Sequence, residues 1–397
     1  MDKTTVVLYP GLGGIGHLTP MVQLAQLFVQ HGVAVTIALV KPQEEPASSF
    51  SAAVARAAAA DPSITFHVLL PPPCPAEEEA PRDMFDRHRL MDAPLRDLLR
   101  SLPAVRALVL DMFCAGSLDV ATELGIPAYF FASGATILAI YLNLPSVVAN
   151  MGRNFVELGD SPLSLPGAPP FRAADLPKIV LDDDDATRVF VRLFERMPES
   201  NGILVNTYES HALRDGGGGD EKHECLEWLD AQPDSSVVFL SFGSRGTFPK
   251  KQLQEIAVVL EKSGQRFLWV VRSPRSEEQN FGDPLPGPEP DLDALLPEGF
   301  LERTKHQGFV VRSWAPQVEV LGHRATGAFM THCGWNSTLE GITAGLPLLL
   351  VLRGYDEEVV KAEEVEAKVR WVMESEGGRA LRERAVAEEE QGRASIE

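Results

Sequence analysis

The chain has few cysteines, no long apolar run and no surplus of basic residues. Its four cysteines, Cys74, Cys114, Cys225 and Cys333, lie far apart and form no CxxC pair. That spacing excludes a disulfide framework and a structural zinc site, and reads as reduced thiols in a reducing compartment. No apolar run reaches the roughly 20 residues that a membrane helix needs. The N-terminal MDKTTVVLYPG lacks the basic-then-apolar order of a secretory signal, so a cytoplasmic protein is expected. Lys and Arg total 36 against 56 Asp and Glu, a formal charge of −20. Nothing is left over to neutralise phosphates, so nucleic acid is not an expected partner. The acidity reads as solubility, and a monomer is expected.

What is present is an ordinary globular composition, 45% hydrophobic and 23% charged over 397 residues, enough for two large domains. Short apolar runs alternate with helical patterns. Thr5–Tyr9 reads as a strand followed by a glycine-rich turn, then Leu18, Met21, Val22, Ala25, Phe28 and Val29 fall at helical spacing up to His31-Gly32. Ala34–Val40, Ile64–Leu70, Ala107–Leu110 and Ala128–Phe131 read as further strands. The pattern restarts at Val237–Ser241, with a helix from about Lys250 to Ser263. Strands at Phe267–Val271, Phe309–Arg312, Ala328–Thr331 and Leu348–Leu352 follow. Strands alternating with helices imply parallel sheets covered on both faces. Residues 214–223, RDGGGGDEKH, read as a polar linker. The expected fold is α/β: two doubly wound Rossmann-like domains, 1–213 and 224–397, facing across a cleft. Ligands in such sheets sit at the carboxyl ends of the strands. The proline-rich stretches 71–81 and 283–297 read as loops. Asp182–Asp185 reads as a solvated acidic run, and no residue pattern supports a metal site.

Two segments carry candidate chemistry. Gly11-Leu12-Gly13-Gly14-Ile15-Gly16 follows a strand, opens a helix and matches GxGxxG, so a dinucleotide-binding oxidoreductase is an alternative. That reading needs an acid closing the second strand, where this chain has Lys41. The other reading centres on His17, directly after the glycines. A neutral histidine is suited to take a proton from a hydroxyl, and works better with a carboxylate on its other nitrogen. Asp111 closes the strand VLD on the same sheet edge. Either residue alone could be a plain helix-start or strand-end group.

The second segment is Ser313–Glu340, SWAPQVEVLGHRATGAFMTHCGWNSTLE. It places Trp, Gln, His, a second Trp, Asn, Ser and Glu in one run, with a strand-to-helix turn at Gly334–Ser337. A helix N-terminus there suits a diphosphate. Structural roles compete: Ser337-Thr338-Leu339-Glu340 also reads as a capping box, and both tryptophans could be core residues.

This segment, continued to Gly345-Leu346-Pro347, resembles the signature box of plant family 1 UDP-glycosyltransferases. GHLTPMVQLAQLF, VLDMFC and SFGS resemble that family's other segments, so the likeness covers both halves. The resemblance implies a GT-B-like fold and a catalytic pair His17 and Asp111. It implies that Trp314 stacks on uracil, that backbone groups of Ala315 bond the base, and that Gln317 reaches the ribose region. It places His332, Trp335, Asn336, Ser337 and Ser244 around the diphosphate and Glu340 on the ribose hydroxyls. His323 is expected to be structural. The implied reaction moves a sugar, by default glucose, with inversion from a UDP-sugar to a hydroxyl of a small phenolic or flavonoid-like acceptor. That acceptor is expected near Gly14, Phe113 and Thr136. The UDP-sugar is a substrate, and no cofactor is implied.

The sequence departs from the family pattern in three places. After Pro347 the family has a Trp-Pro pair and then an acidic–Gln pair for the sugar, where this chain reads LLLVLRGYDEEVV. By counting, Asp356-Glu357 fall at the pair; by context, a block is deleted. The connection at Tyr208–Gly216 is short. The C-terminal RAVAEEEQGRASIE does not resemble the family's closing helix. These departures leave an alternative: a catalytically impaired variant that only binds UDP.

Overall fold

The computed structural model describes residues 5–12, 14–40, 50–70, 72, 84–151, 155–181, 185–207, 223–243, 247–274, 289–350, 360 and 362–394. The chain divides into two compact units, Met1–Thr207 and Tyr208–Glu397. Linker residues 214–222 lie outside the described residues. His223 is described, and it caps the helix Glu224–Asp230 by accepting from the Cys225 N–H.

Unit 1 is built on strands Thr5–Tyr9 (β1), Ala34–Val40 (β2), Ile64–Leu69 (β3), Val105–Asp111 (β4) and Ala128–Ser133 (β5). A short antiparallel pair, Pro162–Leu163 (β6) and Phe171–Arg172 (β7), precedes the last strand, Ile203–Asn206 (β8). The main sheet has the order β3-β2-β1-β4-β5-β8 with parallel pairing throughout. Alternate residues of each strand face opposite sides. Val7, Tyr9, Leu108, Leu110 and Phe130 enter one core, whereas Val6, Leu8, Ile37, Val109 and Phe131 enter the other. That two-sided burial explains why these strands are nearly continuous apolar runs.

Unit 2 repeats the plan with Val237–Leu240 (β9), Arg266–Val271 (β10), Gly308–Arg312 (β11), Thr326–Thr331 (β12) and Leu348–Leu350 (β13). Their order is β11-β10-β9-β12-β13, again all parallel. In both units the first strand lies between the second and the fourth. The strand order reverses between β1 and β4, and between β9 and β12. These are the switch points at which doubly wound sheets open a crevice for ligands. The last described helix, Glu376–Ala394, packs on the helices Ala362–Glu374 and Trp335–Thr343 of its own unit.

The structure refines the sequence reading at three places. The stretch 283–297 is not all loop: Leu292–Leu295 forms one helical turn, capped by the Asp291 carboxylate accepting from the Ala294 N–H at 3.1 Å. β8, the short run ILVN absent from the strands expected above, completes the first sheet by pairing with β5. The helix expected to begin near Ser337 begins at Trp335. Of the acidic run, Asp185 opens the helix Asp185–Arg196 and residues 182–184 lie outside the described residues. Residues 71 and 73–81 also lie outside.

Candidate functional site

At the β1/β4 switch point, His17 lies in the first turn of the helix Ile15–Gln30 and Asp111 is the last residue of β4. Gly14 supplies the sharp entry to that helix with φ 69°, and its carbonyl accepts from the His17 and Leu18 N–H groups. A β-carbon would be strained in that conformation. His17 Nδ1 and Asp111 Oδ2 are 2.7 Å apart. The other carboxylate oxygen accepts from the Phe113 N–H at 3.0 Å. Asp111 is therefore pinned at both oxygens, with its side chain 6% exposed against 25% for His17. A carboxylate accepting at Nδ1 sets the tautomer and leaves Nε2 as the basic nitrogen of the neutral ring. The two side chains singled out in the sequence, 94 residues apart, form one dyad.

Phe113 is half-buried, with its ring centroid 5.5 Å from that of His17. Behind it, Phe190 follows at 6.0 Å and Tyr141 at 5.2 Å from Phe190, so the ring beside the dyad is backed by aromatic packing. Thr136 is exposed in the first turn of the helix Ala135–Met151, one strand further along the same sheet edge. Gly14 and Phe113 thus border the dyad, and Thr136 follows β5, the neighbour of β4.

At the β9/β12 switch point the two loops meet at His332. A β-carbon on Gly243 would lie 2.5 Å from the ring, and one on Gly334 would lie 2.2 Å from it. The imidazole is seated between two glycines, and burial lowers its pKa. Ser244, the next residue after Gly243, lies outside the described residues. Gly334 is the N-cap of Trp335–Thr343, with an ordinary φ of −57°. A substitution there tests the seat alone, without backbone strain. Gly334→Ala is expected to displace His332 and cost about 1–3 kcal/mol of stability by overpacking. A thermal melt checks the stability, and UDP affinity, expected to fall with it, checks the displacement.

Because the helix starts at Trp335, Ser337 is its third residue, and no capping box forms with Glu340. Both side chains turn instead to Gln317, the first residue of the helix Gln317–Leu321. Its Nε2 donates to Ser337 Oγ at 3.1 Å and to Glu340 Oε2 at 2.6 Å. Burial raises the Glu340 pKa, the bond from Gln317 opposes this, and Glu319 adds to it. Trp335 and Asn336 are half-buried in the first turn, where a helix directs its N–H groups outward along the axis.

Trp314 is not a core residue: it is 42% exposed, with its ring edge-on to His223 at 5.9 Å. Ala315 beside it is buried. The chain is turned sharply at Ser313, whose φ of 62° is unusual for a residue with a side chain. The Trp314 N–H donates to the Arg312 carbonyl at 2.6 Å, closing a γ-turn. Cys333 also has a positive φ, 54°. Strained residues thus adjoin Trp314 on one side of this site and His332 on the other, a pattern common where a structure is held for ligand. His323 is structural, as expected: Nε2 bonds Asp230 at 3.1 Å, and Nδ1 accepts from the Ala325 N–H. The γ-turn at Ser313, the glycine seat of His332 and the contact of Trp314 with His223 had no signal in the sequence. Asp356 lies outside the described residues, and no metal-holding group of His, Cys, Asp or Glu occurs among those described. No described helix is long and apolar enough to cross a membrane.

Known proteins resemble this chain over nearly its whole length. The family described as "UDP-glucoronosyl and UDP-glucosyl transferase" matches residues 217–380. An anthocyanidin 5,3-O-glucosyltransferase from a Rosa hybrid cultivar is 36% identical, with 97% of this chain and 93% of the rose enzyme covered. A Polygonum tinctorium UDP-glucosyltransferase capable of glucosylating indoxyl has a similar structure, with TM-score 0.83 and 31% identity over 99% of this chain and 95% of that one. A Siraitia grosvenorii transferase solved with UDP gives 0.79 and 31% over 100% and 96%. With two Rossmann-like units, a His–Asp dyad in one and a Trp, Gln, His and Glu constellation in the other, the chain belongs to the plant family 1 UDP-glycosyltransferases, enzymes that take a sugar from a UDP-sugar donor.

Proposed function

We propose that this chain transfers a sugar, glucose by family default, with inversion from a UDP-sugar to a hydroxyl of a small phenolic acceptor. The observation that carries the reading is the 2.7 Å His17–Asp111 pair at the first switch point. His17 Nε2 removes the acceptor proton as that oxygen attacks the anomeric carbon on the face opposite UDP. The anomeric C–O bond breaks and UDP leaves with the electron pair. Asp111 stabilises the imidazolium that forms. The leaving diphosphate is held by the first turn of Trp335–Thr343 with His332, Asn336 and Ser337, and Ser244 is assigned to the same group. Uracil stacks on Trp314 with Ala315 at its edge, and Gln317 and Glu340 take the ribose hydroxyls. The half-buried Phe113 ring beside His17 favours an aromatic acceptor, in keeping with the acceptors named for the rose and Polygonum enzymes. The reaction as written needs no cofactor.

Glu340 gives this assignment a pH signature. Ribose hydroxyls donate to the carboxylate, so binding favours the ionised form, whereas burial favours the neutral one. Nucleoside affinity is therefore expected to fall as pH drops through the raised Glu340 value, with proton release on binding. The sign for stability is opposite: burying the charge costs more as pH rises through that value. Titration with uridine, which has no phosphate to ionise, checks this, and Glu340→Gln is expected to flatten the profile.

The second reading, a variant that binds UDP without transferring sugar, is favoured by one observation. The alignment to the rose enzyme runs to 457 positions, more than the 397 residues of this chain, so relatives fill positions that it skips. Skipped positions are what the deletion read after Pro347 requires, where the family places its sugar-binding pair. Calorimetric titration with UDP and UDP-glucose separates the two. Tighter binding of UDP-glucose supports transfer, with Asp356 as the candidate sugar contact. Equal affinities mean that sugar recognition is lost.

A further inference from the structure

Beneath the dyad lies a buried histidine that the reaction does not use. His88 stands on the helix Met84–Leu90, is 6% exposed, and lies 3.3 Å through Nδ1 from the Cys114 sulfur. Burial lowers its pKa to about 4, against the opposing pull of Asp111 and with a smaller push from His17. Burial likewise raises the Cys114 thiol well above its usual range. Both partners are uncharged. The ring also touches the first glycine of the loop: a β-carbon on Gly11 would fall 2.5 Å from His88 Cε1 and 2.4 Å from Cys114 Sγ.

These two contacts bear on the two arms of the dyad. Gly11 begins the turn that leads from β1 to His17. Cys114 closes the turn after Asp111, its N–H donating to the Asp111 carbonyl at 2.8 Å. That is the same turn in which the Phe113 N–H holds the carboxylate. Gly11, the Cys114 sulfur and the His88 ring meet at one point, so the ring packs against both arms where they touch and limits how either can shift. An aliphatic side chain would leave the buried thiol without its partner. A charged ring would compete with His17 for Asp111, and burial keeps it neutral.

We propose that His88 is a positioning residue for the dyad, its ring packed against both Gly11 and Cys114 so that His17 and Asp111 keep their bond. The proposal rests on His17 being the base. A shift of about 1 Å at a reacting group costs on the order of 100-fold in rate, so loss of the ring should be visible.

The test compares wild type, His88→Leu and His88→Gln by two readouts. One is the downfield NMR signal of the His17 Nδ1 proton, which reports the bond to Asp111 whether or not the enzyme turns over. The other is kcat, read beside UDP affinity. In His88→Leu the proton signal is expected to broaden or vanish, and kcat to fall about 10- to 100-fold with UDP affinity unchanged. His88→Gln, which can still bond the thiol, should recover most of both. Should His88→Leu not fold, Cys114→Ala removes the other half of the pair and is read in the same way. An intact His17 proton signal with unchanged kcat in a folded variant overturns the proposal. A wild type without transferase activity removes the proposed function but leaves the NMR comparison to decide the role of His88.

Discussion

Replacing His17 by Ala is expected to slow sugar transfer by about 100- to 10,000-fold, the range of a lost general base, with UDP affinity unchanged. The separation follows from where the groups stand. His17 and Asp111 belong to unit 1, whereas Trp314, Gln317, His332 and Glu340 all belong to unit 2. Asp111→Asn is expected to lose nearly as much rate. The carboxylate that accepts the Nδ1 proton is also held by the Phe113 N–H, and an amide there can present a donor and favour the wrong tautomer. Steady-state rates with a saturating UDP-sugar, beside calorimetry with UDP, read both variants. A His17→Ala enzyme that keeps its kcat excludes His17 as the base. A loss of UDP binding in step with rate would mean that the substitution acts through folding.

Trp314→Ala is expected to weaken UDP binding by about 1–3 kcal/mol, the usual worth of a base stacked on an aromatic ring, or about 5- to 150-fold. The expectation is specific because the indole is exposed. A core tryptophan would lose stability on truncation, whereas Trp314, 42% exposed, carries little of the core. Its melting temperature should therefore change little while affinity falls. Trp314→Phe keeps a stacking face and should recover part of the loss. Unchanged UDP affinity in Trp314→Ala would remove uracil stacking from the account, leaving the exposed ring without a role.

The architecture was legible wherever burial on both sheet faces forces a run of apolar residues. Val7 and Leu8 enter opposite cores, as do Val238 and Phe239, so their strands stand out without alternation. β8 was missed because Ile203–Asn206 is short and only half-buried, and its place depends on β5. Within the site, residue identities were readable and their geometry was not. Glycine and histidine are visible in HCGW, but that a Cβ on Gly243 would meet His332 depends on two loops 89 residues apart in the chain. The Ser337–Glu340 spacing fitted both a capping box and a ribose site. Helix onset at Trp335 and the bonds from Gln317 decide against the box. His88 carried no signal at all, since its meaning comes from the packing of Gly11 and Cys114.

The most direct test of the account is UDP release by the purified chain given UDP-glucose, with and without a phenolic acceptor, together with the anomeric configuration of any product by NMR. The account predicts acceptor-dependent release, a glycoside of inverted configuration, and loss of both in His17→Ala. UDP-glucose bound by a folded chain that releases no UDP with any phenol tested would contradict it, and would leave a nucleotide-binding protein that has lost its transfer step.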